Sequence, residues 1–261
     1  MAITTVDGFT GAARQYPAYV KTATRTVIAG NWFTLFDLAG QPGAGVLAGT
    51  SVAAGVVPVA GGAGFPNIVS IADSGYLSGV QFGSSVACRL SLFDLLWKAG
   101  AYPFNAAQAL TGQPSFAARV PGANYAVTSI WIEAVTAFTG IPTFTITYTN
   151  QSGVAGRTAT IAAASALTLG RMLQIPLQSG DTGVQLITNV TCTVATVGTF
   201  NVLVMRALWS GRVRAANDGG NDNMVATGLP PMFSTTALYL AVAADATSSG
   251  NPELRLTVSD G

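Results

Sequence analysis

Histidine is absent from the 261 residues, and charge of either sign is scarce. Only 9% of residues are charged, against about 25% in ordinary soluble domains. Lysine stands only at Lys21 and Lys98. Without histidine there is no Ser-His or Cys-His pair for nucleophilic catalysis and no imidazole to ligate a metal. The carboxylates are scattered, and only Asp218 and Asp222 lie close together. A net charge of +1 offers no broad electrostatic grip on nucleic acid. Cys88 and Cys192 are single and far apart. Cys192 falls on the apolar face of an alternating run, which predicts a buried thiol and neither a disulfide nor a ligand. No basic-then-apolar leader opens the chain, so the expectation is a protein made and used without secretion. The sequons at Asn150 and Asn189 then carry little meaning. Residues 38–72 hold no charge, but glycine recurs from Gly40 to Gly64, with Pro42 and Pro58 among them. A spanning helix needs about 20 apolar residues and tolerates such breakers poorly, so no membrane span is expected.

A free-standing protein ordinarily carries surface charge for solubility. Ala, Gly, Thr, Ser and Val fill those places here. This predicts a surface largely covered by partner subunits, in preference to one kept soluble by neutral polar residues alone.

What is present is β-patterning. Thr143 to Thr149 alternates threonine with Phe144, Ile146 and Tyr148, and Arg157 to Ile161 alternates again after the turn residues Asn150 to Gly156. Period-two alternation places one residue set on a buried face, so the pair predicts a hairpin. Val190, Cys192 and Val194 alternate before Val197-Gly198-Thr199, and Phe200, Val202 and Val204 after it, which predicts a second hairpin. From Val127 to Val135 both faces carry apolar residues, the pattern of an interior strand. Leu173 and Ile175 precede a strong turn at Gln178 to Gly183. The stretch from Arg212 to Pro231 reads as an exposed loop, and Leu238 to Val242 with Leu254 to Val258 as a terminal strand pair. The prediction is a mainly β fold, an antiparallel β-sandwich of jelly-roll type over 91–261.

Two further elements are expected. Ser91 to Gly100 reads as one short entry helix: Ser91 caps it, Asp94 favours the dipole, and Leu92, Leu95 and Leu96 form a stripe beside Phe93 and Trp97. Residues 1–90 read as an extended Gly/Ala-rich N-terminal arm. Val46, Leu47, Val52, Val56, Val57 and Val59 make it too apolar for a solvated linker, so it is expected to lie along another subunit.

Candidate chemistry is thin. Asp218, Asn221, Asp222 and Asn223 gather oxygen atoms that a hard cation prefers, yet without the spacing of a calcium loop, and such Asx-Gly clusters are more often plain turns. Gly43, Gly45 and Gly49 miss the spacing and the strand–helix frame of a dinucleotide fingerprint. Arg157 and Arg171 are expected to pair with Asp181 or Glu133, or with another subunit. Trp209 and Tyr239 suit packing better than sugar stacking. No catalytic, cofactor-binding or metal-binding residue is assigned.

The stretch 90–210 resembles a family of virion structural proteins from tailed bacteriophages. The matching residues are Trp131 to Glu133, Tyr148 to Asn150, Gly153, Gly156-Arg157, Gly170 to Met172, Leu177, Gly180 to Val184, Val190 to Thr196, Gly198, Asn201 and Arg206. Leu92 to Trp97 is similar to that family's short upstream helix, although Phe93 and Leu95 stand where Tyr and Arg are expected. The resemblance implies no enzymatic activity and no cofactor. It implies a capsid cement or decoration protein clamping adjacent capsomers. Its partners would be the major capsid protein or other virion subunits, in a homo-oligomer of trimeric kind. It would assemble in the host cytoplasm and reside in the virion. The alternatives are a tail, collar or neck component, or a receptor- or glycan-binding module on a fibre.

Overall fold

The computed structural model of the chain describes residues 6–50, 52–69, 71, 75–193 and 197–261. Fourteen strands build its layers. In chain order they are β1 (Ala18–Lys21), β2 (Phe33–Thr34), β3 (Gly75–Ser84), β4 (Cys88–Pro103), β5 (Ala107–Ala109), β6 (Thr128–Thr139) and β7 (Thr143–Asn150). Then come β8 (Arg157–Ala162), β9 (Met172–Ile175), β10 (Val184–Thr193), β11 (Val197–Val213), β12 (Asp218–Asp222), β13 (Leu238–Ala244) and β14 (Glu253–Asp260). Two-residue strands at Arg14–Gln15, Gly40–Gln41 and Pro231–Met232 extend the sheet edges. All the described strand pairings are antiparallel.

The chain divides into two compact units. The outer unit holds residues 1–46, 59–94 and 207–261, and the inserted unit holds 47–58 and 95–206. The boundaries at Asp94 and Arg206 fall inside the long strands β4 and β11, so each strand carries the chain from one unit into the other.

Each unit, taken alone, is a jelly roll. In the inserted unit the strands in chain order are the second half of β4, then β5, β6, β7, β8, β9, β10 and the first half of β11. One sheet runs β4-β11-β6-β9 and the other β5-β10-β7-β8. By position along the chain these orders are first-eighth-third-sixth and second-seventh-fourth-fifth, the doubled Greek key of a jelly roll. The outer unit repeats the pattern with β1, β2, β3, the first half of β4, the second half of β11, β12, β13 and β14. Its sheets run β1-β14-β3-β12 and β2-β13-β4-β11. Along the chain, therefore, the inserted roll interrupts the outer one between its fourth and fifth strands.

Each roll has its own core. In the inserted roll Phe144, Ile146, Tyr148, Val190 and Cys192 on one sheet meet Ile130, Ile132, Phe200, Val202 and Val204 on the other. In the outer roll Leu77, Val80, Leu254, Leu256 and Val258 meet Leu90, Leu92, Leu238, Leu240 and Val242. Apolar burial of this kind contributes roughly 25 cal/mol per Å² removed from water.

The hairpin read from Thr143 and Arg157 is present, with Tyr148 opposite Arg157 and Thr143 opposite Ala162. Five readings need correction. The segment 91–100 is not a helix but the middle of β4. Its residues from Leu92 to Ala99 are buried on both faces, and a doubly buried strand loses its period, so the sequence cannot separate it from a buried helix. The second hairpin does not form: β10 pairs with β7 and β5, whereas β11 pairs with β6. Val194 and Thr196 lie outside the described residues. The terminal strands β13 and β14 likewise belong to different sheets. Alternation fixes which face a residue takes, not which strand it meets.

The fourth correction is the arm, since the division at residue 90 does not hold. Tyr19, Phe33 and Leu35 are buried in the outer core, and β1 and β2 are strands of its two sheets. Lys21 Nζ donates to the carbonyls of Leu38 (3.0 Å) and Pro42 (2.9 Å), and Arg25 pairs with Asp37. Strands of two to four residues between glycines and prolines are too short to print a period. The segment 212–231, read as an exposed loop, is exposed but contains β12 and the short helix Met224–Thr227.

Candidate functional site

The structure does not draw the candidate calcium ligands together. Asp218 and Asp222 lie on edge strand β12, where Asp218 Oδ1 accepts from Gly219 N and Asp222 Oδ2 accepts from Trp209 Nε1 at 2.7 Å. Asn223 Oδ1 caps the short helix through Val225 N and Ala226 N. Among the described residues no group of three His, Cys, Asp or Glu could hold a metal ion. Nor is any described helix long and apolar enough to cross a membrane. Trp209 packs on Phe82 with ring centroids 4.9 Å apart, and Tyr239, fully buried, accepts from Thr34 Oγ1 at 2.6 Å. Both are core residues. Burial pushes the Cys192 thiol up to about 12, so it is an inert packing group.

Three polar constellations stand out among the described residues, two of them fasteners. In the first, Arg157 Nε meets Asp181 Oδ2 at 2.8 Å. Tyr148 Oη donates to the same oxygen at 2.6 Å, and Asn150 Nδ2 donates to Oδ1 at 2.7 Å. The Arg157 guanidinium and these donors hold the Asp181 carboxyl down at about 2, while burial first, and then the carboxylate, push the Tyr148 hydroxyl up to about 12. The cluster ties the turn Gln178 to Gly183 onto the β7–β8 hairpin. Arg171 Nη1 donates to Ser165 Oγ at 2.6 Å.

The second constellation was not legible in the sequence. Glu133 on β6, Asn201 on β11 and Lys98 on β4 meet inside the inserted unit, with Lys98 Nζ 3.5 Å from Glu133 Oε2. Asn201 Nδ2 donates to Glu133 Oε2 and to the Leu47 carbonyl, each at 2.7 Å, and Asn201 Oδ1 accepts from Gly49 N at 2.9 Å. The segment 47–58 is thus a strap on the inserted roll. Further along, Val56 and Lys98 exchange backbone hydrogen bonds beyond the last pair of β4 with β13. The carbonyls of Val52 and Ala54 accept from Tyr102 Oη (2.7 Å) and Trp97 Nε1 (3.1 Å), and that of Pro58 accepts from Arg119. Gly55 rests on the Trp97 ring, where a Cβ would come within 2.4 Å.

Each unit also carries a cleft. One of about 280 Å³ in the inserted unit is lined by Trp97, Phe116, Tyr125, Gln113 and Gln185. Its amides are already used: Gln113 donates to the Ile187 carbonyl and Gln185 to that of Gln151. A larger one of about 630 Å³ crosses the outward face of the β1-β14-β3-β12 sheet in the outer unit. Tyr16, Gln41, Gln81, Asn221 and Arg255 line it, and this is the third constellation. Nothing in the sequence joins these residues, which come from distant segments. The only local sign is that Arg255 alternates with the buried Leu254 and Leu256.

No family model and no curated protein matches the chain. Among solved structures it is similar to the VP2 subviral particle of infectious bursal disease virus, with 11% identity and a TM-score of 0.23, over 95% of this chain and 80% of that one. It is similar to the Gt strain of the same virus at 11% identity and a TM-score of 0.19, over 95% and 81%. The Israel acute paralysis virus pentamer gives 7% identity and a TM-score of 0.13, over 83% and 74%.

Proposed function

We propose that the chain is a non-enzymatic structural protein of a virus particle and, more finely, a capsid cement or decoration protein of a tailed bacteriophage. The observation that carries this reading is the pair of jelly rolls, one inserted in the other, each filled by its own side chains. Jelly rolls are the building unit of capsid shells, and of lectins and cupins. The inserted roll, 95–206, coincides with the stretch 90–210 that resembles the phage virion family. The scarcity of charge supports a surface covered by partners, here the major capsid protein or other virion subunits, in a homotrimer. At one end of the inserted roll Val197, opposite Thr139, and the nearby Ile141 are each about half exposed, and they offer apolar contact to such a neighbour. The polar clusters Asp181–Arg157 and Glu133–Asn201 fasten turns and the strap, and the hydroxyl they hold on a carboxylate, Tyr148 on Asp181, is pushed up to about 12 and is not an activated nucleophile. The protein is therefore expected to cleave neither peptidoglycan nor capsule polysaccharide.

The test is gold labelling of purified particles with an antibody to this chain, read together with quantitative mass spectrometry. Head labelling at a fixed copy number per capsomer is the expected result. Labelling confined to the tail, collar or neck would overturn the cement role, and absence of the chain from particles would overturn the virion role.

A further inference from the structure

We infer that the outward face of the β1-β14-β3-β12 sheet is a binding groove for a neutral oligosaccharide. The cleft of about 630 Å³ adjoins one of about 400 Å³ through Tyr16, Ala18 and Gln41, and one of about 330 Å³ through Gln81, Asn221 and Arg255. In series they cross β12, β3, β14, β1 and the edge strand Gly40–Gln41. Four inter-strand steps of about 4.8 Å make a trough about 19 Å long, enough for several sugar rings. Gly79 and Ala18 keep its floor near the backbone.

The walls carry the argument. Gln41, Gln81, Asn221 and Arg255 are exposed, and their side chains make no hydrogen bond or ion pair with the described chain. Tyr16 is 69% exposed and lies beside them, with its ring and hydroxyl engaged by no described residue. The exposed face of β7 and β8 in the inserted roll is built otherwise. There the outward residues are threonines apart from Ala162, and Thr145 and Thr160 bond to each other at 3.1 Å. That face is thus lined chiefly by short hydroxyls. The groove instead presents three amides, each both donor and acceptor, one guanidinium and one aromatic ring. That is the complement of a sugar, whose hydroxyls both give and accept hydrogen bonds and whose C–H face stacks on an aromatic ring.

Charge selects a neutral sugar. Arg255 shares the adjoining cleft with Glu253, and the Asp222 carboxylate is held by Trp209, so no net positive field draws an acidic chain. The groove is open and shallow, so a single site binds weakly. Many copies on one surface would make the binding firm through avidity. This inference stands apart from the virion reading, because the purified chain alone displays the groove.

The experiment is saturation-transfer NMR on the full-length protein with cello-, malto-, manno- and chito-hexaose, and with hexagalacturonate as the acidic counterpart. At least one neutral hexaose is expected to receive saturation. Tyr16→Ala, and separately Gln81→Ala with Arg255→Met, should weaken that binding at least about tenfold, with unchanged melting temperatures because these side chains are exposed. Thr145→Ala with Thr160→Ala should leave it intact. Binding to none of the neutral hexaoses, binding to hexagalacturonate only, or neutral binding that survives both groove variants would each overturn the inference.

Discussion

Asn201 and Glu133 face each other across β11 and β6, fully buried, with Asn201 Nδ2 2.7 Å from Glu133 Oε2. The same amide nitrogen reaches the Leu47 carbonyl, so one side chain joins a buried carboxylate to the strap. Removing one member of a buried charged pair leaves the other without compensation, at about 3–5 kcal/mol. Glu133→Gln should lower the stability of the inserted roll by that order. Asn201→Ala should cost about 1–3 kcal/mol through unmet buried groups and should open the segment 47–58 to protease. Urea denaturation and limited proteolysis measure both. An Asn201→Ala protein whose strap resists protease as the native one does would show that the backbone bonds at Val56 suffice.

Leu92 and Leu96 sit on one strand, β4, yet belong to different cores. Each is fully buried, so truncation should cost about 2–5 kcal/mol. Leu92→Ala should weaken protection from hydrogen exchange chiefly in β3, β13 and β14, and Leu96→Ala chiefly in β6, β7 and β10. Equal loss everywhere from either change would mean that the two rolls unfold as one cooperative body.

Asp181 gives the inserted roll a dependence on acid. Its folded-state value of about 2 lies below the ordinary carboxylate value of about 3.9. A depressed carboxyl contributes stability that is fully present above the unfolded value and is lost as pH falls through the folded one. The native protein should therefore exceed Asp181→Asn in stability by a steady margin at neutral pH. The margin should shrink between about pH 4 and about pH 2. Solvent around Arg157 keeps it modest. Urea midpoints across that range measure it, and a margin unchanged down to about pH 2 would show that the folded roll does not hold this carboxyl below its ordinary value.

What the sequence made legible follows from how each strand is buried. Thr143 to Asn150 has one apolar and one polar face, so its period survives in the letters, and its partner follows after a turn. Leu90 to Tyr102 is buried on both sides, and the same letters fit a helix. The jelly-roll class could be read from strand count and spacing. The nesting could not, because the letters of β4 fit a helix and β11 looks like one strand, while each serves two cores. The fasteners show the same limit. Arg157 and Asp181 lie 24 residues apart within one hairpin-and-turn region and could be anticipated. Asn201 meets Leu47 across 154 residues, where no local pattern points. The groove residues Tyr16, Gln81 and Arg255 share only a sheet face.

The N-terminal segment gives the sharpest reversal and its own test. Read as part of an arm over 1–90, residues 1–46 should be removable without harm to the body. In the structure β1 pairs with β14, setting Tyr19 opposite Leu254, and β2 pairs with β13, setting Phe33 opposite Val242. Tyr19, Phe33 and Leu35 then fill the outer core. Losing three such side chains, at about 2–5 kcal/mol each, approaches the whole stability of a domain, about 5–15 kcal/mol. A chain beginning at Leu47 keeps the strap, and with it every segment of the inserted roll. Hydrogen exchange on that chain should show β3, β12, β13 and β14 unprotected while β6, β7, β10 and the first half of β11 stay protected. If the outer strands keep their protection, the first 46 residues only cover a roll that folds without them, and the arm reading would return.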